Sequence, residues 1–444
     1  MDQRSGHRVA WDAGTGEDTQ VERAVEQMLA HELTVDEAVQ IALLRHESLL
    51  AMYEELGVGQ ADLVQAGLLK NPVFGVSLAP SEYDTLQPPV IGSVAMDFLD
   101  LFTLPARKKI AATELEAVKM RVGDAVLDLA ARVRTAYFAV LSAQQVVAMR
   151  RTILEAADAA AEMATRQHDA GNMNDLDLAN EQALEAQVRL DLTRAEGDAL
   201  AAREQLTQLM GLWGTQTLWR TPDRLPELPP AEGSLEHLES LAVAQRLDLA
   251  ARRREFEALS RIESFVQSTR WTGTLQAQLE VDPTISGGHN PLGPGVALSL
   301  PIFDQGQASV ARVRALRRQS EHRLNALAVE VRSQVRIARD RVVLTRQLAE
   351  GYRSGLVPLR ERVVALSQQQ YDAMLLGVYQ LIAAKQNEVD AYREYIEAVR
   401  DYWVARSDLE RAVGGRIGRP PAPPPGTAAE PAAPPPLDHS KMHM

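Results

Sequence analysis

The sequence predicts a mainly α fold with a small β portion: long helical hairpins and four short strands per chain, arranged as two internal structural repeats. Three observations carry this. First, 106–170 and 307–370 are stretches of 65 and 64 residues with helical patterning, about 98 Å and 96 Å if continuous. Second, four short segments alternate apolar and polar residues with period two, as strands do. Third, sliding one half by 201 residues superposes Arg45 on Arg246, Glu47 on Asp248, Glu54 on Glu255 and Phe102 on Phe303. The composition agrees, with 45% hydrophobic but only 5% aromatic residues, a diet of helix formers that pack closely.

Residues 1–31 read as a polar N-terminal extension. The first repeat spans 32–224. Thr34 with Glu37 three residues on is a capping box, opening a helix that Asn71-Pro72 ends. Strands follow at 73–79 and 90–102, then a long helix from 106 to 170 begun by Pro105. A tip at 171–176 leads to a return helix ending near 211. Residues 225–233 form a Pro-rich linker. The second repeat, 234–413, has a helix, strands at 271–281 and 295–303, a long helix at 307–376, a tip at 377–381 and a return helix. Leu275, Ala277 and Leu279 interleave there with Gln276, Gln278 and Glu280, a two-faced strand. Gly351, Gly355 and Pro358 predict a bend in the second long helix. Residues 414–444 form a Pro/Ala-rich tail expected to be disordered, with a His/Met end.

A net charge of −13 disfavours a nucleic-acid partner. With no cysteine, the chain has no disulfide, thiolate metal site, cysteine nucleophile or lipid-bearing Cys. No apolar run reaches the ~18 residues of a spanning helix, so membrane insertion must use strands. The segment Met1–Ala30 has no signal-peptide core, which an exported protein needs; a mature or late-started form is one reading of this. The histidines from His7 to His322 are scattered singly, and no G-x-S-x-G or H-E-x-x-H spacing occurs, so an enzyme is not expected.

Four strands cannot close a barrel, and open strand edges are not tolerated in lipid. The protomer must therefore oligomerise for its strands to work in a membrane. Three copies would give a trimeric 12-stranded barrel on a 12-helix tunnel about 100 Å long. The duplicated order, Asn71-Pro72 before the first strand, and the stretch Gly295-Val296-Ala297-Leu298-Ser299-Leu300-Pro301-Ile302-Phe303-Asp304 resemble the TolC-like outer-membrane efflux family, its heavy-metal branch above all. Tyr371, Gly377 and Leu381 at the second tip add to the resemblance, with His168, Gly171 and Leu176 in similar places at the first. It covers about residues 32–413.

The resemblance implies a passive duct in the outer membrane, a homotrimer in contact with outer-membrane lipid, with its helical tunnel in the periplasm. Its implied partners are a periplasmic adaptor (membrane fusion protein) and an inner-membrane pump of resistance-nodulation-division or similar type. The tips at Gly171, Leu176, Gly377 and Leu381 would dock the adaptor. Some relatives carry paired acids in the second tip; here Asp175 and Asp177 sit in the first, and Asp372 flanks the second, as candidate gate residues. The alternative for these tips is plain helix connections, with Asn174 or Asp175 as a cap. No cofactor is required. The end of the tail groups His439, Met442, His443 and Met444, soft donors suited to Cu(I) or Ag(I), or else an incidental tail. Two other functions compete: a polypeptide secretion duct of similar architecture, and a coiled-coil scaffold with no transport role.

Overall fold

The computed structural model describes residues 18–78, 90–271, 275–281, 292–299 and 301–417. Helix α1 (Asp18–Leu29) precedes α2 (Val35–Arg45) and α3 (Glu47–Ala66). Strands β1 (Val73–Leu78) and β2 (Val90–Asp97) lead to α4 (Leu99–Asp169) and the return helix α5 (Asp175–Met210). The second half repeats the order: α6 (Leu238–Gln245), α7 (Leu247–Thr269), β3 (Leu275–Val281), β4 (Leu292–Leu298), α8 (Gln307–Gly351), α9 (Val357–Asp372) and the return helix α10 (Val378–Val413). A π turn, Tyr352–Leu356, joins α8 to α9.

Several boundaries differ from the sequence reading for physical reasons. The first helix of each repeat is two helices, broken at His46 and Arg246, both in extended conformation. The break follows from the end of the return helix. Gly211 and Gly414 close α5 and α10 with φ of 67° and 90°. Each sits against the break: a Cβ on Gly211 would lie 2.5 Å from the Arg45 carbonyl oxygen, and one on Gly414 3.1 Å from Arg246 Cα. Only glycine meets both the left-handed backbone and the close approach.

Helix α4 starts at Leu99, so Pro105 lies inside it rather than opening it. Strand β2 correspondingly stops at Asp97, and β4 runs 292–298 rather than 295–303. Pro301 and the Asp304-Gln305-Gly306 turn, with Gly306 at φ 71°, keep Ile302 and Phe303 out of the ladder. The expected bend near Pro358 takes the form of the π turn. The Val357 N–H bonds the Tyr352 carbonyl five residues back, a local shift in the ladder next to a residue that cannot donate. Buried positions run Val335, Ala338, Val342, Thr345 and Ala349 before the turn, and Val357 and Val364 after it.

The N-terminal extension contributes α1 to the core. Val25 of α1 is fully buried in the first-repeat core with Ile41, Val133, Val140 and Met210. The capping box is present, with the Glu37 N–H donating to Thr34 Oγ1 at 3.3 Å and the Thr34 N–H to Glu37 Oε2 at 2.9 Å. The second core gathers Leu238, Val335, Tyr402 and Leu409. The linker is anchored: Arg346 donates to Glu232 and to the Pro229 and Pro230 carbonyls, and Tyr402 and Arg406 also donate to Glu232.

The sheet is antiparallel in the order β1-β2-β3-β4. Below it, α3, α4, α7 and α8 pack in the same order. Toward the tips, α5 packs on α4, α4 on α10, and α10 on α8 and α9. Each long helix thus carries a first helix at one end and a return helix at the other. Replacing Gly211 with Ala should lower unfolding free energy by about 1–3 kcal/mol through backbone strain, beyond the steric cost. Gly57→Ala, whose Cβ meets nothing closer than 3.9 Å, should be neutral or stabilising. Urea unfolding in detergent measures both.

Candidate functional site

The strand register sorts side chains onto two faces, because residues directly opposite in an antiparallel pair share a face. Phe74 pairs with Val94, Val94 with Leu279, Met96 with Ala277, Ala277 with Val296 and Leu275 with Leu298. One face is therefore apolar across all four strands. The other carries Ser77, Ser93, Asp97, Gln276, Gln278 and Glu280, with Gly75, Ala95, Gly295 and Ala297 and two apolar side chains, Val73 and Ile91. The apolar face has no cover in the single chain: Phe74, Val76 and Val296 are each about 75% exposed. Apolar side chains continue below the strands at Phe102 and Phe303, 77% and 95% exposed. No described helix is long and apolar enough to cross a membrane.

At the other end, the two turns share one hydrogen-bond pattern. The Gly171 N–H bonds the His168 carbonyl at 2.8 Å, and Asn172 that of Gln167 at 2.8 Å. In the second turn Met374 bonds Tyr371 at 2.8 Å, and Leu375 bonds Gln370 at 2.9 Å. The structural equivalent of Gly171 is therefore Met374, also left-handed at φ 58°, and not Gly377. Gly377 instead takes the place of Asn174 as the residue opening the return helix, its N–H donating to Gln380 Oε1. Both Met374 and Leu375 project into solvent.

Asn174 caps α5 by accepting from the Asp177 N–H at 2.8 Å, while its amide donates to the Asp177 carboxylate. Asp175 is exposed and 2.7 Å from His168 Nε2. Both acids thus serve the helix start, where the dipole favours negative charge. Leu176 is exposed, Leu381 is half-buried, and Asp372 ends α9 with Gln368 donating to it. Asp175 and Asp177 share the first turn of α5, while Asp372 ends α9 in the other hairpin. The residues His439, Met442, His443 and Met444 lie outside the described residues. Among the described residues no acid/histidine/cysteine group is placed to hold a metal.

The seam between repeats carries paired charges. Arg411 on α10 donates to Asp128 at 3.2 Å and to Asp124 at 3.1 Å on α4, and Arg134 donates to Glu410 at 2.9 Å. Burial works against the Arg411 charge, but the two aspartates outweigh it and hold its pKa above the ordinary value. The pairing joins residues over 280 positions apart, so no local pattern announces it.

The hydrogen bond to Asp175 raises the pKa of His168, with help from Asp169. A raised folded-state value means the contact is fully present below His168's ordinary pKa and is lost as pH rises through the shifted one. Asp175→Asn should move the His168 titration midpoint down, read by NMR of labelled histidine; an unmoved midpoint would refute the pairing.

Residues 38–212 match the family model described as outer membrane efflux protein. The chain is 23% identical over 388 residues to the cobalt-zinc-cadmium resistance protein CzcC of Cupriavidus metallidurans, covering 86% of this chain and 90% of that one. A crystal structure of a membrane protein from Pseudomonas aeruginosa superposes with a TM-score of 0.74 at 18% identity, over 86% of this chain and 93% of that one. The CmeC outer membrane channel of Campylobacter jejuni gives 0.69 at 14% identity, over 92% and 90%. Residues 38–212 thus carry the signature of the outer membrane efflux proteins, and the chain shares the fold of these solved membrane proteins.

Proposed function

We propose that this chain is the outer-membrane duct of a tripartite efflux system, a passive conduit for small solutes with heavy-metal ions as the substrate class. The observation that carries it is the sheet: one apolar face, one polar face and two open edges, set on helices about 100 Å long. In a closed barrel the apolar face meets lipid and the polar face lines the lumen. Free apolar stripes at the tip end support self-assembly into a trimer. On α5, Leu176, Ala179, Ala183, Ala186 and Leu190 are exposed at spacings of 3 and 4. On the opposite edge, Leu344, Leu348, Leu359, Val363 and Leu366 are exposed along α8 and α9. Such seams are those of helices awaiting partners. A periplasmic adaptor would dock at the two turns, where Leu176, Met374 and Leu375 are exposed, and an inner-membrane pump would supply the energy. The relative's name favours divalent metal cations; the tail favours softer Cu(I) or Ag(I).

The test is assembly and conductance. Leu279→Arg should cost about 2–4 kcal/mol if the position lies near the bilayer midplane, whereas Gln278→Arg, facing the lumen, should be mild. Purified protein should form trimers in detergent and conduct in planar bilayers. A stable monomer without conductance, or equal tolerance of the two arginines, would sink the proposal.

The tail reading has its own test. Two thioethers and two imidazoles can bind Cu(I), with Zn(II) weaker because thioethers are poor ligands for it. Deleting Asp438–Met444 should leave assembly intact and lower copper tolerance in cells that rely on this protein. A tail peptide that does not bind Cu(I) against a competing chelator, together with unchanged tolerance, would make the tail incidental.

A further inference from the structure

We propose that copies of this chain join head to tail at the sheet end through a charge-complementary antiparallel seam, α3 of one copy against α8 of the next, with Glu54 set against His322 and Arg318. This rests on the oligomeric reading above and deepens it.

The chain contains an internal version of the seam. Helix α4 leaves β2 and α7 enters β3, so pairing β2 with β3 lays α4 and α7 side by side and antiparallel. There Arg121 Nη1 donates to Glu255 Oε1 at 2.8 Å. At the free edges, α8 leaves β4 and α3 enters β1. Extending the sheet by pairing β4 with the next copy's β1 would lay α8 and α3 together in the same sense. The 201-residue shift that carries Phe102 onto Phe303 carries Arg121 onto His322, and Glu255 is the equivalent of Glu54. The internal ion pair therefore fixes a register for the external one.

Charge supports that register. Helix α3 holds Glu47, Glu54, Glu55 and Asp62 and no basic residue. The facing half of α8, residues 307–332, holds six arginines against two glutamates. Arg314 and Arg317 are taken by Glu263 of the same chain. Arg318 and Arg323 are exposed and have no ion-pair partner among the described residues, and the same is true of Glu54 and Glu55.

Spacing agrees as well. Glu47, Ala51, Glu54 and Val58 are exposed on α3 at intervals of 4, 3 and 4, on the side away from the buried Leu49 and Tyr53. Ala311, Ala315, Arg318 and His322 are exposed on α8 at the same intervals. With Glu54 opposite His322, the antiparallel register puts Ala61 beside Ala315 and Val58 beside the aliphatic stem of Arg318, with its guanidinium one helical turn from Glu54. Opposite charges flanking such a seam set partner and orientation. The interface joins two different surfaces, so its repetition builds a ring where the rotation between copies closes.

The native chain has no cysteine, so introduced pairs report cleanly. In membranes, Glu54→Cys with His322→Cys should oxidise to a ladder of linked chains ending at the closed oligomer. Glu54→Cys with Asn325→Cys, out of register, should link at least about tenfold more slowly, since a disulfide needs Cβ atoms about 4 Å apart. Glu54→Arg and Arg318→Glu should each reduce assembly, more so at low salt, and the double exchange should restore it. If the wild type forms trimers but the 54/322 pair does not link and Glu54→Arg assembles normally, the seam is wrong while the oligomer stands. A wild type that stays monomeric in membranes overturns both.

Discussion

An open strand edge presents a row of N–H and C=O groups that hydrocarbon cannot satisfy. That constraint organises this chain. Its sheet stops at β1 and β4, each with one unpaired side. The helices below follow the strand order, so the same two edges run down the helical layer as α3 and α8. Farther from the sheet, α5 and α9 continue them. A single chain is therefore a panel with two unfinished margins, and its free apolar and charged stripes fall on those margins.

Within the panel, rigidity comes from how one helix end seats in another's break. The extended residues His46 and Arg246 open a gap in the first helices, and Gly211 and Gly414 fill it. Each contact ties the end of a return helix to the start of its own repeat. The Arg411, Asp124 and Asp128 cluster then ties one repeat to the other. Because those charges are half-buried and paired, removing one partner would leave its counter-charge uncompensated, a larger cost than losing a surface ion pair.

Much of this was legible in the sequence. Period-two alternation in Leu275–Val281 gave the faces of β3, and Thr34 with Glu37 gave the start of α2. What was not legible has identifiable causes. Pro105 reads as a helix start, yet α4 extends six residues further back. Helix α1 was hidden by its polarity, although Val25 anchors it. At the tips, glycine content suggested that Gly377 answers Gly171; the backbone shows Met374 in that place, a left-handed residue that composition does not reveal. The charge seam joins residues far apart in sequence, beyond the reach of local pattern.

The π turn has one more consequence. From Val331 to Ala349 the buried residues of α8 recur at 3 and 4, so after the half-buried Tyr352 the next buried position should come at Leu356. It comes at Val357 instead, and then at Val364. The chain carries one supernumerary residue in its count, and the wider turn at Tyr352–Leu356 takes it up without rotating the helix. Had the helix stayed regular, everything beyond would have swung by about 100° and pointed its apolar side elsewhere. A version of this chain shorter by one residue between Ala349 and Val357 would keep the same buried line with no π turn at all.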